Sequence, residues 1–200
     1  MKPHPEQLCI AFAGHKKVAS GEVGLVVVKI KKYLEKNNKS SILIFDERTS
    51  EPIEIDFRGS IATGAKRLGD LVAQDNEVQR GPGRPKLGVV SREIGLLPRH
   101  WDWLALQSGG ASVTLRKLVE DAKKKNLKKD LIRQSQNAAY KFMSAVAGDL
   151  PHFENALRAL YANKSAEFLS MISSWPKDIR EHIEKLVEPA LNVTHGMKNP

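Results

Sequence analysis

A polar run rich in glycine and proline, Gln74-Asp75-Asn76-Glu77-Val78-Gln79-Arg80-Gly81-Pro82-Gly83, interrupts this 200-residue chain and limits what can fold around it. Glycine loses the most conformational freedom on ordering and proline offers no N–H, so neither a helix nor a central strand runs through such a stretch. The chain therefore divides into a small αβ domain over 1–75, a basic Gly/Pro linker over 76–87, a strand-and-helix module over 88–130 and a helical region over 131–200. The length suffices for a core without metal or disulfide staples.

The charge follows the same division. Residues 1–75 carry 12 Lys+Arg and 10 Asp+Glu, residues 134–200 carry 7 of each, and residues 76–133 carry 13 against 6. Most of the formal net charge of +9 thus sits in the middle. A localised excess of this kind is the electrostatic footprint of a polyanion-binding surface; the plainer alternative is a solvated basic helix face.

Periodicity assigns the elements. Gln7–Ala13 reads as a strand, and Gly14-His15-Lys16 turns the chain into a short second strand ending at Ser20-Gly21. Val23, Val26, Val27, Ile30 and Leu34 keep helical spacing, with Lys29, Lys31, Lys32 and Lys36 mostly on the other face. Ser41–Phe45 and Ile53–Phe57 read as a hairpin joined by Asp46–Pro52, and Ile61–Ala73 as an amphipathic helix. Beyond the break, Leu87–Leu97 has strand character and Pro98–Gln107 fits a short helix. Ser112 is expected to cap a second helix through Leu115, Leu118, Val119 and Ala122. Four apolar faces follow, Ala139/Phe142/Met143/Val146, Phe153/Ala156/Leu157/Leu160, Phe168/Leu169/Ile172 and Ile179/Ile183/Leu186, and short connections between them predict a small helical bundle. The fold class is α+β.

Catalytic patterns are weak. Six scattered histidines, at 4, 15, 100, 152, 182 and 195, show no metal-ligand spacing. Glu54 and Asp56 alternate with Ile53, Ile55 and Phe57, as the wet face of a half-buried strand requires. No phosphate-binding glycine loop and no nucleophile elbow occur, so no cofactor and no enzyme activity are expected. The lone Cys9, in the apolar run Leu8–Phe12, reads as a buried residue in a reducing compartment. With no hydrophobic N-terminal run and no span of ~20 apolar residues, the expected location is the cytoplasm and no membrane association is expected.

The order of strand, short helix, glycine turn and basic helix, carried by Val89–Leu104 and Gly109–Val119, resembles the ribbon–helix–helix family of DNA-binding proteins. That resemblance implies a homodimer on double-stranded DNA, in which each chain lends one strand to a ribbon in the major groove. It implies that Ala111 and Ser112 anchor a phosphate, that Arg99 and Arg116 lie near the backbone, and that Leu97, Trp101, Leu104, Leu115, Leu118 and Val119 form a shared core. Two strand registers are open. One turns Leu97, Gly95 and Glu93 inward; the other buries Ile94 and Leu96 and sends Ser91, Glu93 and Gly95 to the groove.

Ahead of it, Gly83-Arg84-Pro85-Lys86 resembles an AT-hook, whose arginines enter the narrow minor groove of A·T-rich DNA; Arg84 is the position that carries over. The DNA-contacting set expected from these likenesses is Arg80, Arg84, Lys86, Arg92, Arg99, Ser112, Arg116 and Lys117, with Lys123, Lys124, Lys125, Lys128 and Lys129 adding sequence-independent affinity. The function implied is DNA binding, in the form of a dimeric transcriptional regulator. The alternatives are a non-enzymatic oligomerisation or interaction scaffold, and an enzyme with a pocket beside His15, His100 or His152. Across nearly the full length, phrases such as Ala11-Phe12-Ala13-Gly14-His15 and Phe142–Pro151 also resemble a bacterial family of unassigned function.

Overall fold

The computed structural model describes residues 7–37, 40–55, 90 and 92–195. The helix expected over 61–73, most of the linker and the AT-hook-like arm lie outside the described residues. The described part is mixed α and β, mostly helical, and divides into two compact units, Met1–Glu77 with Asp130–Pro200, and Val78–Lys129.

The first unit is organised by one strand. β1 (Leu8–Ala13) pairs antiparallel with β2 (Lys16–Glu22) on one side and β3 (Ile42–Asp46) on the other. Gly14 turns the first hairpin at φ +53, a backbone conformation that costs glycine little. Side chains alternate across a strand, so β1 presents two faces. Cys9 and Ala11 join Ile44 in a core with Val23, Val26, Val27 and Ile30 of α1 (Val23–Lys36). Ile10 and Phe12 face the opposite way and join Phe45 in a second core with the C-terminal helices. A strand covered on both faces needs apolar residues at every position, which is why Leu-Cys-Ile-Ala-Phe-Ala lacks polar alternation.

The second core belongs to the end of α3 (Gly110–Val146), α4 (Phe153–Tyr161), α5 (Ser165–Ile172) and α6 (Lys177–His195). Phe142 lies at its middle, 5.0 Å ring to ring from Phe12 and 5.5 Å from Phe45. Residues read from sequence as two regions, 1–75 and 131–200, thus share one apolar core. The bond from Lys17 N–H to Asp178 Oδ2 (2.8 Å) joins them as well. The helix ends follow local rules: Asn163 takes the left-handed conformation (φ +56) that closes α4, and Lys164 N–H reaches back to the Ala159 carbonyl at 3.0 Å.

Three sequence expectations change. The second hairpin arm is reduced to an isolated bridge between Phe45 and Pro52, and residues 53–55 form no strand. The bridge is a non-hydrogen-bonded pair held by its flanks, Asp46 N–H to the Glu51 carbonyl (2.9 Å) and Ile53 N–H to the Ile44 carbonyl (2.8 Å), so Pro52 is accommodated without a donor. The helices expected to start at Ser112 and to cover 139–146 are a single helix, Gly110–Val146, because neither glycine nor proline occurs between Ala111 and Ala147. Ser112 accordingly lies inside that helix rather than capping it.

His182 is buried in the second core at 3% exposure, 4.5 Å ring to ring from Phe142 and 5.9 Å from Phe12. Neither ring nitrogen has a hydrogen-bond partner among the described residues. Burial foremost, then the positive charges of Lys185 and Lys17, pushes its pKa down to about 4. The unfolded chain takes up that proton near pH 6.5. Between these values the unfolded state holds more protons, so stability is complete above pH 6.5 and falls as the pH drops toward 4, by on the order of 3 kcal/mol in all. Replacing His182 by Leu removes both the proton linkage and the unpaired polar atoms. Urea unfolding at pH 7 and pH 5 is expected to show the wild type losing stability on acidification and His182→Leu holding more of it across that interval.

Candidate nucleic-acid interface

The second unit is built on α2 (Pro98–Ala105) and the first half of α3. Leu97, extended at φ −67 and ψ 149, caps α2, and Pro98 sits in the first turn, where its missing N–H costs nothing. The turn between the helices uses Gly109 at φ +91 and Gly110 at φ +71. A Cβ on Gly109 would come within 3.2 Å of Val113 Cγ1, so both conformation and space require glycine there.

Only one described residue of this unit, Leu104, is buried. Val90, Ile94, Leu97, Trp101, Trp103, Leu106, Leu118, Val119 and Leu127 are all exposed, Leu106 at 84% and Val90 at 76%. Of the shared core expected from sequence, Leu104 alone is enclosed within one chain; Leu97, Trp101, Leu118 and Val119 face solvent and Leu115 is half-buried. Residues 92–97 form no strand within the chain. The strand expected over Leu87–Leu97 is thus not formed over these residues, which have no hydrogen-bonded neighbouring strand among the described residues.

The cations lie outward. Arg92 is exposed in the irregular stretch before α2, and Arg99 is exposed in the first turn of that helix. Arg116 bends back along α3, donating from Nε to the Ser112 carbonyl (3.1 Å) and from Nη2 to Ser112 Oγ (3.4 Å), so these two expected site residues are in contact. Lys117 and every residue from Leu118 to Lys129 are exposed. Lys123 pairs with Glu120 at 3.1 Å; Lys117, Lys124, Lys125, Lys128 and Lys129 make no ion pair among the described residues. Lys124 with Lys128, and Lys125 with Lys129, stand four apart, a spacing at which like charges destabilise a helix. Arg80, Arg84 and Lys86 lie outside the described residues. Sequence reading did not foresee how completely Trp103 and Leu106 would be presented to solvent.

Elsewhere, chemistry is sparse among the described residues. His15 Nε2 lies 3.7 Å from Asp149 Oδ1, yet the two side chains are 37% and 78% exposed, which makes a surface pair rather than a cleft. No group of three or more His, Cys, Asp or Glu side chains is placed to hold a metal. Asp46 is a turn-forming residue: its Oδ1 accepts from Arg48 N–H, Thr49 N–H and Thr49 Oγ1, and its Oδ2 from Gln7 Nε2 at 2.8 Å. Burial works to raise its pKa, but those hydrogen bonds outweigh burial and hold the carboxyl below its ordinary value. Cys9 is fully enclosed, and burial first, then the carboxylates of Glu47 and Asp46, push its thiol up to about 11. Such a thiol is inert at neutral pH. No described helix is long and apolar enough to cross a membrane.

Residues 8–187, most of both units, match the model of a family described as an uncharacterized protein conserved in bacteria, DUF2239. The chain belongs to DUF2239. The match runs across β1, the basic helix and most of α6, so the sheet, the exposed hairpin and the helical core are all within the DUF2239 span. No curated protein and no solved structure matches the chain.

Proposed function

We propose that this chain is a non-enzymatic DNA-binding protein that acts as a homodimer, with Val78–Lys129 as its contact module and transcriptional regulation as its role. The observation that carries this reading is the composition of that unit: twelve Lys+Arg against four Asp+Glu, with Lys123 the one described cation there in an ion pair among the described residues. Unpaired lysines and arginines release counterions when phosphates replace them, which makes a duplex their natural partner. The exposed apolar set from Val90 to Val119 supports the dimer, since a unit with one buried residue among those described has apolar surface that a second copy can cover. Two copies joined through residues 88–97 and their helix hairpins would cover it in the ribbon–helix–helix manner, with the Gly83–Lys86 arm gripping the minor groove. Glu93, exposed beside Arg92, offers a carboxylate where a base reader would stand, so the reading extends to backbone affinity rather than to sequence selectivity.

Labelled duplex DNA titrated with the full chain at ~50 mM salt is expected to bind, with a steep slope of log affinity against log salt that flattens when Arg84, Lys86, Arg99 and Arg116 become Ala. Absence of binding, or a slope indifferent to those four changes, overturns the proposal. The exposed apolar residues also favour a second reading, an oligomerisation scaffold; a dimer with no nucleic-acid affinity is its signature.

A further inference from the structure

We infer that α1 carries a second duplex-binding face, Lys29, Lys32 and Lys36, on the unit opposite in sequence to the basic module; the inference rests on the DNA-binding reading above. At 100° per residue these three lysines and Leu25 fall within an arc of about 60°. All four are exposed, Leu25 at 60%, while Val23, Val26, Val27 and Ile30 on the other side are buried against the sheet.

Three basic residues of the C-terminal region are handled differently, while Arg158 and Lys185 there have no ion pair among the described residues. Lys164 pairs with Glu167 at 2.9 Å, Lys177 with Glu181 at 3.6 Å and Arg180 with Glu184 at 3.6 Å, each within one helical turn. Lys29, Lys32 and Lys36 have no ion-pair partner among the described residues, although Glu35 stands three positions from Lys32. Instead they neighbour one another at spacings of three and four, where like charges repel and cost the helix stability. The helix dipole favours Lys36 in the last turn but does nothing for Lys29 in the middle. A polyanion lying along this face turns the repulsion into attraction, as on Lys124–Lys129.

A duplex fits better than a lipid surface. An interfacial helix sinks its apolar face into the headgroup boundary, and here that face is turned into the sheet, leaving Leu25 alone to insert. Lysine acts as a point charge without the bidentate fork of arginine, so this face supplies sequence-independent backbone affinity.

The test uses the full chain, a labelled duplex of random sequence and a salt series. For K29Q/K32Q/K36Q the slope of log affinity against log salt is expected to fall by ~2.7, about 0.9 for each lost phosphate contact, and K29R/K32R/K36R is expected to keep the wild-type slope. Circular dichroism of both triple variants should match the wild type, with a melting temperature equal to the wild type for the arginine variant and equal or slightly higher for the glutamine variant. A slope unchanged by the glutamine variant, with K124Q/K125Q/K128Q/K129Q on α3 still reducing it, overturns this inference and leaves the DNA-binding reading standing. Failure of the wild type to bind any duplex overturns both. Binding of phosphatidylserine vesicles lost in the glutamine variant, with duplex affinity untouched, overturns it in favour of a membrane partner.

Discussion

Changing Lys124, Lys125, Lys128 and Lys129 together to glutamine is expected to weaken duplex binding on the order of a hundredfold to a thousandfold at ~0.1 M salt, and to lower the salt slope by about 3.6. All four side chains are exposed on α3 and none is ion-paired among the described residues, so their removal takes away phosphate contacts and little else. Folding stability should hold or rise slightly, because the repulsion between residues four apart disappears with them. Fluorescence anisotropy across a salt series, read beside a thermal melt, separates the two effects. Equal affinity for wild type and variant would show that the basic half of α3 is a solvated face.

Phe142→Ala is expected to cost about 3–5 kcal/mol, the largest loss of any single substitution named here. Phe142 is fully buried on α3, and its ring meets Phe12 from β1, Phe45 from β3 and His182 from α6. Truncation leaves a cavity bordered by three elements that are far apart in sequence, so collapse of any one of them relieves it only in part. Chemical denaturation checks the magnitude. If the sheet and the C-terminal helices were separate domains, the variant would destabilise the helices alone and the unfolding curve would split in two. A single cooperative transition shifted as a whole is the expected outcome.

Much of the first unit was legible because its rules are local. The apolar run of Leu8–Ala13 announced a strand, and the spacing of Val23, Val26, Val27 and Ile30 announced the buried face of α1. The apolar positions of the last four helical stretches were likewise readable; Phe142, Met143, Phe168, Ile172, Ile179 and Ile183 are all buried. Alternation says which residues face apart but not what covers them, and so the union of Ile10, Phe12 and Phe45 with the C-terminal helices was hidden. The change in charge at 130 suggests a boundary there, although the absence of glycine and proline on either side of it permits a continuous helix. Periodicity also carries no sign of a histidine in an apolar core, since His182 occupies a helical position between Ile179 and Ile183 as any core residue would.

The candidate interface was legible as charge and illegible as geometry. Twelve Lys+Arg against four acids in Val78–Lys129 can be counted without coordinates. Whether Val90, Ile94 and Leu97 join a ribbon depends on a partner strand outside the chain, and no local pattern specifies one. The exposure of Trp101, Trp103 and Leu106 follows from the tertiary structure alone, and it is the observation behind the proposed second copy.

Lysine acetylation footprinting, with and without duplex DNA and read by mass spectrometry, tests the central claim most directly. Protection is expected at Lys86, Lys117, Lys124, Lys125, Lys128 and Lys129 and absent at Lys164, Lys177 and Lys185. Equal reactivity of the two groups in the presence of DNA would contradict it.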